Sequence, residues 1–198
     1  MSSQHFSWSC KCGEIQAKLS GEPLVNLACH CHSCVATARF IEEQTNQSDL
    51  SSLKPNGGVN ASLWAVSQID FTTGLSDSSG VSKIQFVRVG EKGIAVRCYT
   101  KCCGTQMANC VLGGVISFNR SGLKNEDGSP FQPEEILNLN KKHAFDPSAV
   151  PESSHETVPL SVHFKVLFTA MNPFSKRVAD KAFFPEADDI LVVPITWE

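Results

Sequence analysis

The first 21 residues alternate between apolar and polar side chains. Two runs with a period of two are separated by the turn-like sequence Lys11-Cys12-Gly13-Glu14. The apolar positions of these runs are Phe6, Trp8, Cys10, Ile15, Ala17 and Leu19. A period of two is typical of strands that bury one face, so this segment predicts a β-hairpin.

Strand-like apolar runs recur along the rest of the chain. They cover residues 24–29, 63–71, 84–89, 94–99, 111–118 and 190–195. Ser33 begins a segment with helical spacing, Pro133 is suited to begin a second helix, and residues 162–171 have the period of a third. Residues 46–61 are rich in Ser, Asn and Gly and predict a long loop. The pattern predicts a β-rich core with a few short helices, on which the C-terminal third packs as an α/β extension.

The composition narrows the classes of protein. With 198 residues, 41% hydrophobic and 19% charged, the chain suits one domain over 1–125 with an extension over 126–198 packed on it. The net charge of −3 and the lack of a basic run argue against a nucleic-acid partner. No apolar run approaches the roughly 20 residues that span a bilayer, and the polar N-terminus is unlike a signal peptide. We therefore expect a cytoplasmic protein without a membrane partner.

All but one of the nine cysteines fall in three clusters. In a reducing compartment such clusters indicate metal or thiol chemistry before disulfides. Cys110 stands alone in an apolar run and is interpreted as a core residue. The clusters are Cys10-Lys11-Cys12-Gly13, Cys29-His30-Cys31-His32-Ser33-Cys34 and Cys98-Tyr99-Thr100-Lys101-Cys102-Cys103-Gly104.

The clusters predict two zinc sites of different kinds. The first and third clusters together can supply four thiolates, which would close a tetrahedron and make a structural site. The middle cluster supplies Cys29, Cys31 and Cys34 and leaves a fourth position free, as catalytic zinc sites do. His30 and His32 remain alternatives as a ligand or as a proton carrier beside this site.

These clusters resemble those of the glutathione-dependent formaldehyde-activating enzyme family, which also contains centromere protein V. That family reads C-x-C-G, then C-H-C-x-x-C, then F-C-x-x-C-G, and the first two motifs match at 10–13 and 29–34. The third motif departs from the pattern, because Thr100 stands where the family has its first cysteine. The chain resembles a subgroup with an adjacent cysteine pair, and Cys98 is the alternative to Cys102. The ligands expected for the structural zinc are Cys10, Cys12, Cys102 and Cys103.

The resemblance implies stacked antiparallel sheets with zinc-binding knuckles, two zinc ions per chain, and the condensation of glutathione with formaldehyde. The expected function is a zinc-dependent carbon–sulfur lyase acting on a thiol–aldehyde adduct such as S-hydroxymethylglutathione, or on a related small electrophile. Its catalytic residues would be the three cysteines of the middle cluster. Arg39, Arg88 and Arg97 could meet a carboxylate of glutathione, although any exposed arginine could do so. The alternatives are a non-catalytic zinc-binding interaction module, a chromosome-binding role and a redox or metal-buffering protein.

Overall fold

The computed structural model describes residues 4–46, 52–55, 57–93, 95–111, 114–144, 146–171 and 190–193. Within these residues the chain is mainly β, with two α-helices, and the predicted fold class is confirmed. The helices are α1 (His32–Thr45) and α2 (Leu160–Met171). The strands are β1 (His5–Ser9), β2 (Gln16–Ser20), β3 (Val25–Cys29), β4 (Val59–Ala65), β5 (Ile69–Phe71), β6 (Ile84–Val89), β7 (Val96–Thr100), β8 (Gln106–Val111), β9 (Val115–Asn119), β10 (Leu123–Asn125), β11 (Leu137–Leu139) and β12 (Ile190–Val193).

The strands form two sheets. The smaller sheet has the order β10-β1-β2-β5, and the larger has the order β11-β3-β4-β9-β8-β7-β6-β12. The predicted hairpin is β1–β2, in which Phe6 lies opposite Leu19 and Trp8 opposite Ala17. Neighbouring strands are antiparallel except at the two edges of the larger sheet, where β11 pairs with β3 and β12 pairs with β6 in parallel.

The main core lies between the two sheets. Trp8 of the smaller sheet and Trp64 and Phe118 of the larger one are fully buried in one apolar cluster. The indole N–H of Trp8 donates to the carbonyl oxygen of Asn119 at 3.0 Å, which satisfies the polar atom of a buried aromatic side chain. The alternating apolar positions of β1 and β2 therefore face the larger sheet, as their period of two predicted.

Both helices cover the opposite face of the larger sheet. Val87 and Val89 of β6 pack against Ala36 and Phe40 of α1. Val162 and Val166 of α2 pack against Leu63 and Val115. The other side of α2 is apolar but exposed, and it carries Leu160, Phe164, Leu167, Phe168 and Met171. None of the described helices is long and apolar enough to cross a membrane.

Some predicted elements need correction. Residues 63–71 do not form one strand, because the 3₁₀ helix Val66–Gln68 separates β4 from β5 and sends them into different sheets. The Gln68 side chain accepts the backbone N–H of Ala65 and donates to the carbonyl of Ser20, which stabilises this change of direction. Residues 111–118 contain the end of β8 and most of β9, which pair as a hairpin. β7 covers Val96–Thr100, and position 94, where the predicted strand began, lies outside the described residues.

The helix expected from Pro133 is also wrong. This part of the chain instead forms β11, whose residues Leu137 and Leu139 pair with Leu27 and Cys29 of β3. Leu139 is buried, so edge pairing and burial outweigh the local helix-start signal of Pro133. The loop expected over 46–61 ends earlier, where β4 begins, and 47–51 and 56 lie outside the described residues. The last strand is present over 190–193, while 194 and 195 lie outside the described residues.

Candidate metal centres

Four cysteine sulfurs from two distant parts of the chain meet in what we call the first thiol group. The Sγ atoms of Cys10, Cys12, Cys102 and Cys103 all lie within 4.8 Å of one another. The Sγ–Sγ distances include 3.5 Å for Cys10–Cys12, 3.8 Å for Cys10–Cys102 and 3.3 Å for Cys12–Cys102. Sulfurs placed about 2.3 Å from a tetrahedral zinc ion would be about 3.8 Å apart. The first thiol group therefore fits a tetrahedral metal ion.

Two tight turns bring these sulfurs together. In the β1–β2 turn, the N–H of Gly13 donates to the carbonyl of Cys10, and the N–H of Ile15 donates to the Cys10 sulfur at 3.3 Å. After β7, the N–H of Gly104 donates to the carbonyl of Thr100. Both glycines have left-handed φ angles, +80° and +70°, which glycine adopts at little steric cost.

Two threonine hydroxyls surround Cys103. Thr100 Oγ1 lies 3.4 Å and Thr105 Oγ1 lies 3.1 Å from its sulfur. Burial raises the pKa of Cys103, but the two hydroxyl hydrogen bonds, together with hydrogen bonds from the backbone of Cys12 and Thr105, outweigh it and bring the pKa down to about 6. Thr100, which stands where the family pattern has a cysteine, thus contacts the first thiol group through its hydroxyl.

The structure places Cys98 outside the first thiol group. Its side chain is fully buried in the core between the sheets, where its sulfur lies 3.5 Å from the carbonyl oxygen of Ala108. The geometry therefore favours Cys102 over Cys98 beside Cys10 and Cys12. The side chain of Cys110 lies outside the described part of the structure, so its place in the core stays a prediction.

The sulfurs of Cys29, Cys31 and Cys34 form the middle thiol group. All three lie within 4.8 Å of one another, and the sulfurs of Cys29 and Cys31 are 3.4 Å apart. Cys29 ends β3, and Cys31 precedes α1 in an extended conformation. The N–H of Cys34 donates to the carbonyl of Cys31 at 3.0 Å, which closes the first turn of the helix. A strand end followed by a helix start thus directs three thiols to one point.

Two side chains from elsewhere in the fold donate hydrogen bonds to the middle thiol group. Arg97 of β7 places Nη2 at 3.5 Å from the Cys34 sulfur. Asn140, one residue after β11, places Nδ2 at 3.3 Å from the Cys29 sulfur. Sequence reasoning considered Arg97 only for a substrate carboxylate and did not single out Asn140, since neither is adjacent to the middle cysteines in the chain.

The pKa values of the three middle thiols differ. Hydrogen bonds from Cys29 and Cys31 hold the pKa of Cys34 well below its ordinary value, and the positive charge of Arg97 lowers it further. Hydrogen bonds to Cys31 and Cys34 raise the pKa of Cys29. The hydrogen bond from Cys29 lowers the pKa of Cys31, but the hydrogen bond to Cys34 and burial together raise it to about 11. Cys34 is therefore the thiol most readily ionised.

The two histidines of the middle cluster flank Cys31 in the sequence. Among the described residues, the side chains that group as possible metal ligands here are the three cysteines, without His30 or His32. The His30 ring is buried, and its Nε2 lies 3.3 Å from Oδ1 of Asn138. Burial and the nearby charge of Arg39 lower the pKa of His32. His30 is thus held by the β11 strand and turned to a partner outside the thiols.

Helix α1 links the two thiol groups. Its N-terminal end carries Cys34, and Thr45 near its C-terminal end touches the position that a Cβ on Gly104 would occupy. A helix of 14 residues is about 20 Å long, so the groups lie at opposite ends of a rigid element.

An open cleft of about 750 Å³ lies away from both thiol groups. Its lining includes Phe6, Leu24 and Lys165, together with Glu22 and Glu135, but no cysteine. Because no cysteine lines the cleft, its volume alone is no reason to assign it a role in thiol chemistry.

Part of the chain matches a family model. Residues 5–52 match the glutathione-dependent formaldehyde-activating enzyme. This segment contains the first two cysteine motifs and the middle thiol group, and it confirms the resemblance inferred from them. Cys102 and Cys103 lie beyond the match, so the subgroup with an adjacent cysteine pair stays a prediction.

Comparisons over the whole chain add little. No curated protein matches the sequence. The fold was also compared with a crystal structure of a Rhodobacter sphaeroides protein. The aligned region covers 67% of this chain and 99% of the Rhodobacter chain, with 13% sequence identity and a TM-score of 0.41. A likeness of this size carries no information about activity.

Proposed function

We propose that this protein is a zinc-dependent carbon–sulfur lyase that acts on a thiol–aldehyde adduct such as S-hydroxymethylglutathione or on a related small electrophile. The observation that carries the proposal is the middle thiol group, which brings together three sulfurs within the segment that matches the formaldehyde-activating family. Four sulfurs in the first thiol group would hold a structural zinc ion, and three in the middle group a catalytic one.

The residues of the middle thiol group suit this reaction. Cys29 and Cys34 are 8% and 7% exposed, whereas Cys31 is half-buried, so a substrate would reach the group from the side of Cys31. The buried Arg97 guanidinium supplies positive charge next to the place where a substrate sulfur would become negative. A zinc ion, when bound, would supply the Lewis acidity that favours an ionised thiol.

The reaction balances without an oxidant. In the lyase direction, the carbon–sulfur bond of the adduct breaks and its electron pair leaves with sulfur as a thiolate. The hydroxyl group of the adduct gives its proton to solvent water as its oxygen becomes the aldehyde carbonyl. In the synthetic direction, the thiolate attacks the carbonyl carbon and the oxygen regains a proton. Stabilising the thiolate form therefore assists both directions.

The proposal is tested by measuring the zinc content and the lyase activity of a variant with one substitution. Cys31→Ser is expected to lower the zinc content from two ions to one per chain and abolish lyase activity while the fold persists. Cys98→Ala is the matched control, because it removes a buried cysteine outside both thiol groups. Wild-type protein that binds one zinc ion, held by the first thiol group, would rule out the catalytic role.

The alternative of a non-catalytic zinc module makes a different prediction. It predicts a middle thiol group that stays metal-free, or a closed site in which His30 or His32 is the fourth protein ligand. In the closed site, the alanine variant that lacks the ligating histidine, His30→Ala or His32→Ala, would lose the middle metal ion. The lyase proposal expects both variants to retain it.

A further inference from the structure

The Arg97 side chain is a buried cation whose counter-charge is a thiol group. Its residue is 4% exposed, its Nη1 donates to the carbonyl of Ala95 at 3.2 Å, and its Nη2 reaches Cys34. Among the described residues, no carboxylate forms an ion pair with Arg97. Buried charges in proteins are normally paired, so the partner of this guanidinium is the middle thiol group itself.

The charge of Arg97 affects which fourth ligand a metal ion in the middle thiol group would accept. Three thiolates and a divalent cation carry a net charge of −1, and a fourth thiolate would raise it to −2. In a poorly hydrated site this second negative charge is costly unless a fixed cation stands nearby. With Arg97 included, the total returns to −1. A neutral fourth ligand gains little from the same cation.

Asn140 contributes orientation without charge. It adopts a left-handed backbone conformation with φ of +65°, which asparagine tolerates better than most residues. Its amide donates to Cys29, whereas Arg97 donates to Cys34. In the described part of the structure, Cys31 receives no side-chain N–H from outside the middle thiol group. The two donors thus fix the buried sulfurs and leave the accessible side at Cys31.

We infer that Arg97 determines the ligand class of the middle thiol group, because it makes the group selective for one further thiolate over a neutral ligand, with Asn140 as a positioning residue. This inference rests on the proposed function in one respect, since it assumes that the middle thiol group holds a metal ion. It concerns ligand binding and not turnover.

Titration of the cobalt-substituted full-length protein with 2-mercaptoethanol and, separately, with imidazole tests the inference. The protein thiolates already give sulfur-to-cobalt charge-transfer absorption, so an increase in this absorption reports binding of the added thiol. A change in the ligand-field bands reports binding of imidazole. Arg97→Met should weaken binding of the thiol about 10- to 100-fold, as expected when a fixed cation near the incoming negative charge is lost, and leave imidazole binding within about twofold. Arg97→Lys, which keeps the charge, should recover part of the thiol affinity.

Controls separate a charge effect from damage to the fold. Arg120→Met removes another buried guanidinium, 6% exposed and outside both thiol groups, and should bind both ligands like wild type. Asn140→Gly keeps a left-handed backbone but removes the amide, and Asn140→Asp replaces the donor with a negative charge. The aspartate variant should hold the middle cobalt ion less tightly than the glycine variant.

Three results would overturn the inference. One is thiol affinity in Arg97→Met equal to that of wild type. Another is an equal loss of thiol and imidazole affinity. The third is failure of both Arg97 variants to hold the middle cobalt ion while Arg120→Met retains it. If wild-type protein takes up one cobalt ion per chain, the proposed function fails as well, whereas selective thiol binding without lyase activity would contradict the proposed function and leave this inference intact.

Discussion

Individual hydrogen bonds distribute charge within each thiol group. Thr100 and Thr105 favour the thiolate of Cys103, and Arg97 favours that of Cys34. Hydrogen bonds to a charged group are roughly twice as strong as those between neutral groups. The residues around the sulfurs therefore matter almost as much as the sulfurs when a metal ion is to be held in a fixed orientation.

We expect Cys102→Ser to remove the metal ion of the first thiol group and to lower the free energy of unfolding by on the order of 3 kcal/mol or more, because structural zinc contributes directly to folding. Metal analysis together with denaturant unfolding would measure both effects. Cys98→Ala should keep two metal ions per chain and lower the free energy of unfolding by about 1 kcal/mol, the usual effect of a small cavity. The reverse pattern, with metal lost in Cys98→Ala, would show that Cys98 is the ligand.

At this scale the sequence predicted the thiols well and their surroundings poorly. The spacing of Cys29, Cys31 and Cys34 is local, so a short knuckle brings them together whatever the rest of the chain does. Arg97 lies on β7 and Asn140 directly follows β11, and only the register of the larger sheet places them beside the sulfurs. The choice between Cys98 and Cys102 also depended on where β7 ends, because Cys98 lies within the strand and faces the core, whereas Cys102 lies in the turn after Thr100.

Among the secondary-structure elements, α1 has the most demanding position. Cys34 at one end belongs to the middle thiol group, while Thr45 at the other end packs on Gly104 of the turn that carries Cys102 and Cys103. The helix ends at Thr45, because Asn46 has a left-handed backbone, although the Asn46 N–H still donates to the carbonyl of Glu42. A change at either end is therefore transmitted along a stiff element.

The two motif glycines should differ in their tolerance of alanine. Both have positive φ, so each alanine carries a backbone strain of about 1–3 kcal/mol. A Cβ on Gly104 would also overlap Thr45, whereas a Cβ on Gly13 would meet Gln16 only at 3.9 Å. Gly104→Ala is expected to destabilise the protein more than Gly13→Ala by at least about 1 kcal/mol in denaturant unfolding. Equal losses would mean that the turn moves away from α1 freely.

Strands and helices were predicted correctly where a local sequence pattern identifies them. The predictions failed where pairing with a neighbouring strand determines the conformation. The alternation in β1 and β2 and the period of α2 were sufficient to identify them. β8 has a mixed sequence with no clear period, and it is a strand because β7 and β9 flank it on both sides. β11 forms because the edge of β3 offers free backbone groups, which no local propensity of its own residues reveals.

For the molecule as a whole, the two thiol groups should release metal in sequence. Three protein ligands hold an ion less tightly than four, so a graded chelator should first remove one metal ion per chain with loss of activity and little change in circular dichroism. Removal of the second should coincide with unfolding. Release of both ions in a single step that coincides with unfolding would argue against separate roles.

The edges of the larger sheet predict how truncation will act. β11 covers the outer edge of β3, and β12 covers the outer edge of β6. A chain that ends after Met171 should remain folded but associate more than full-length protein, because the β6 edge is exposed. A chain that ends after Asn125 exposes both edges and should aggregate. Light scattering and size-exclusion chromatography would measure how strongly each truncated chain associates. A monomeric 1–125 fragment would contradict the prediction.

The hydrogen bond from Asn140 to Cys29 spans 111 positions of the chain. Protein synthesis runs from the N-terminus, so the three middle cysteines leave the ribosome long before their donor does. The first thiol group has all four sulfurs once Cys103 has emerged, but the middle one waits for the end of β11. A product of premature termination before Asn140 would thus carry three closely spaced thiols without one of their two donors, and should bind adventitious metals and react with oxidants more readily than the finished protein.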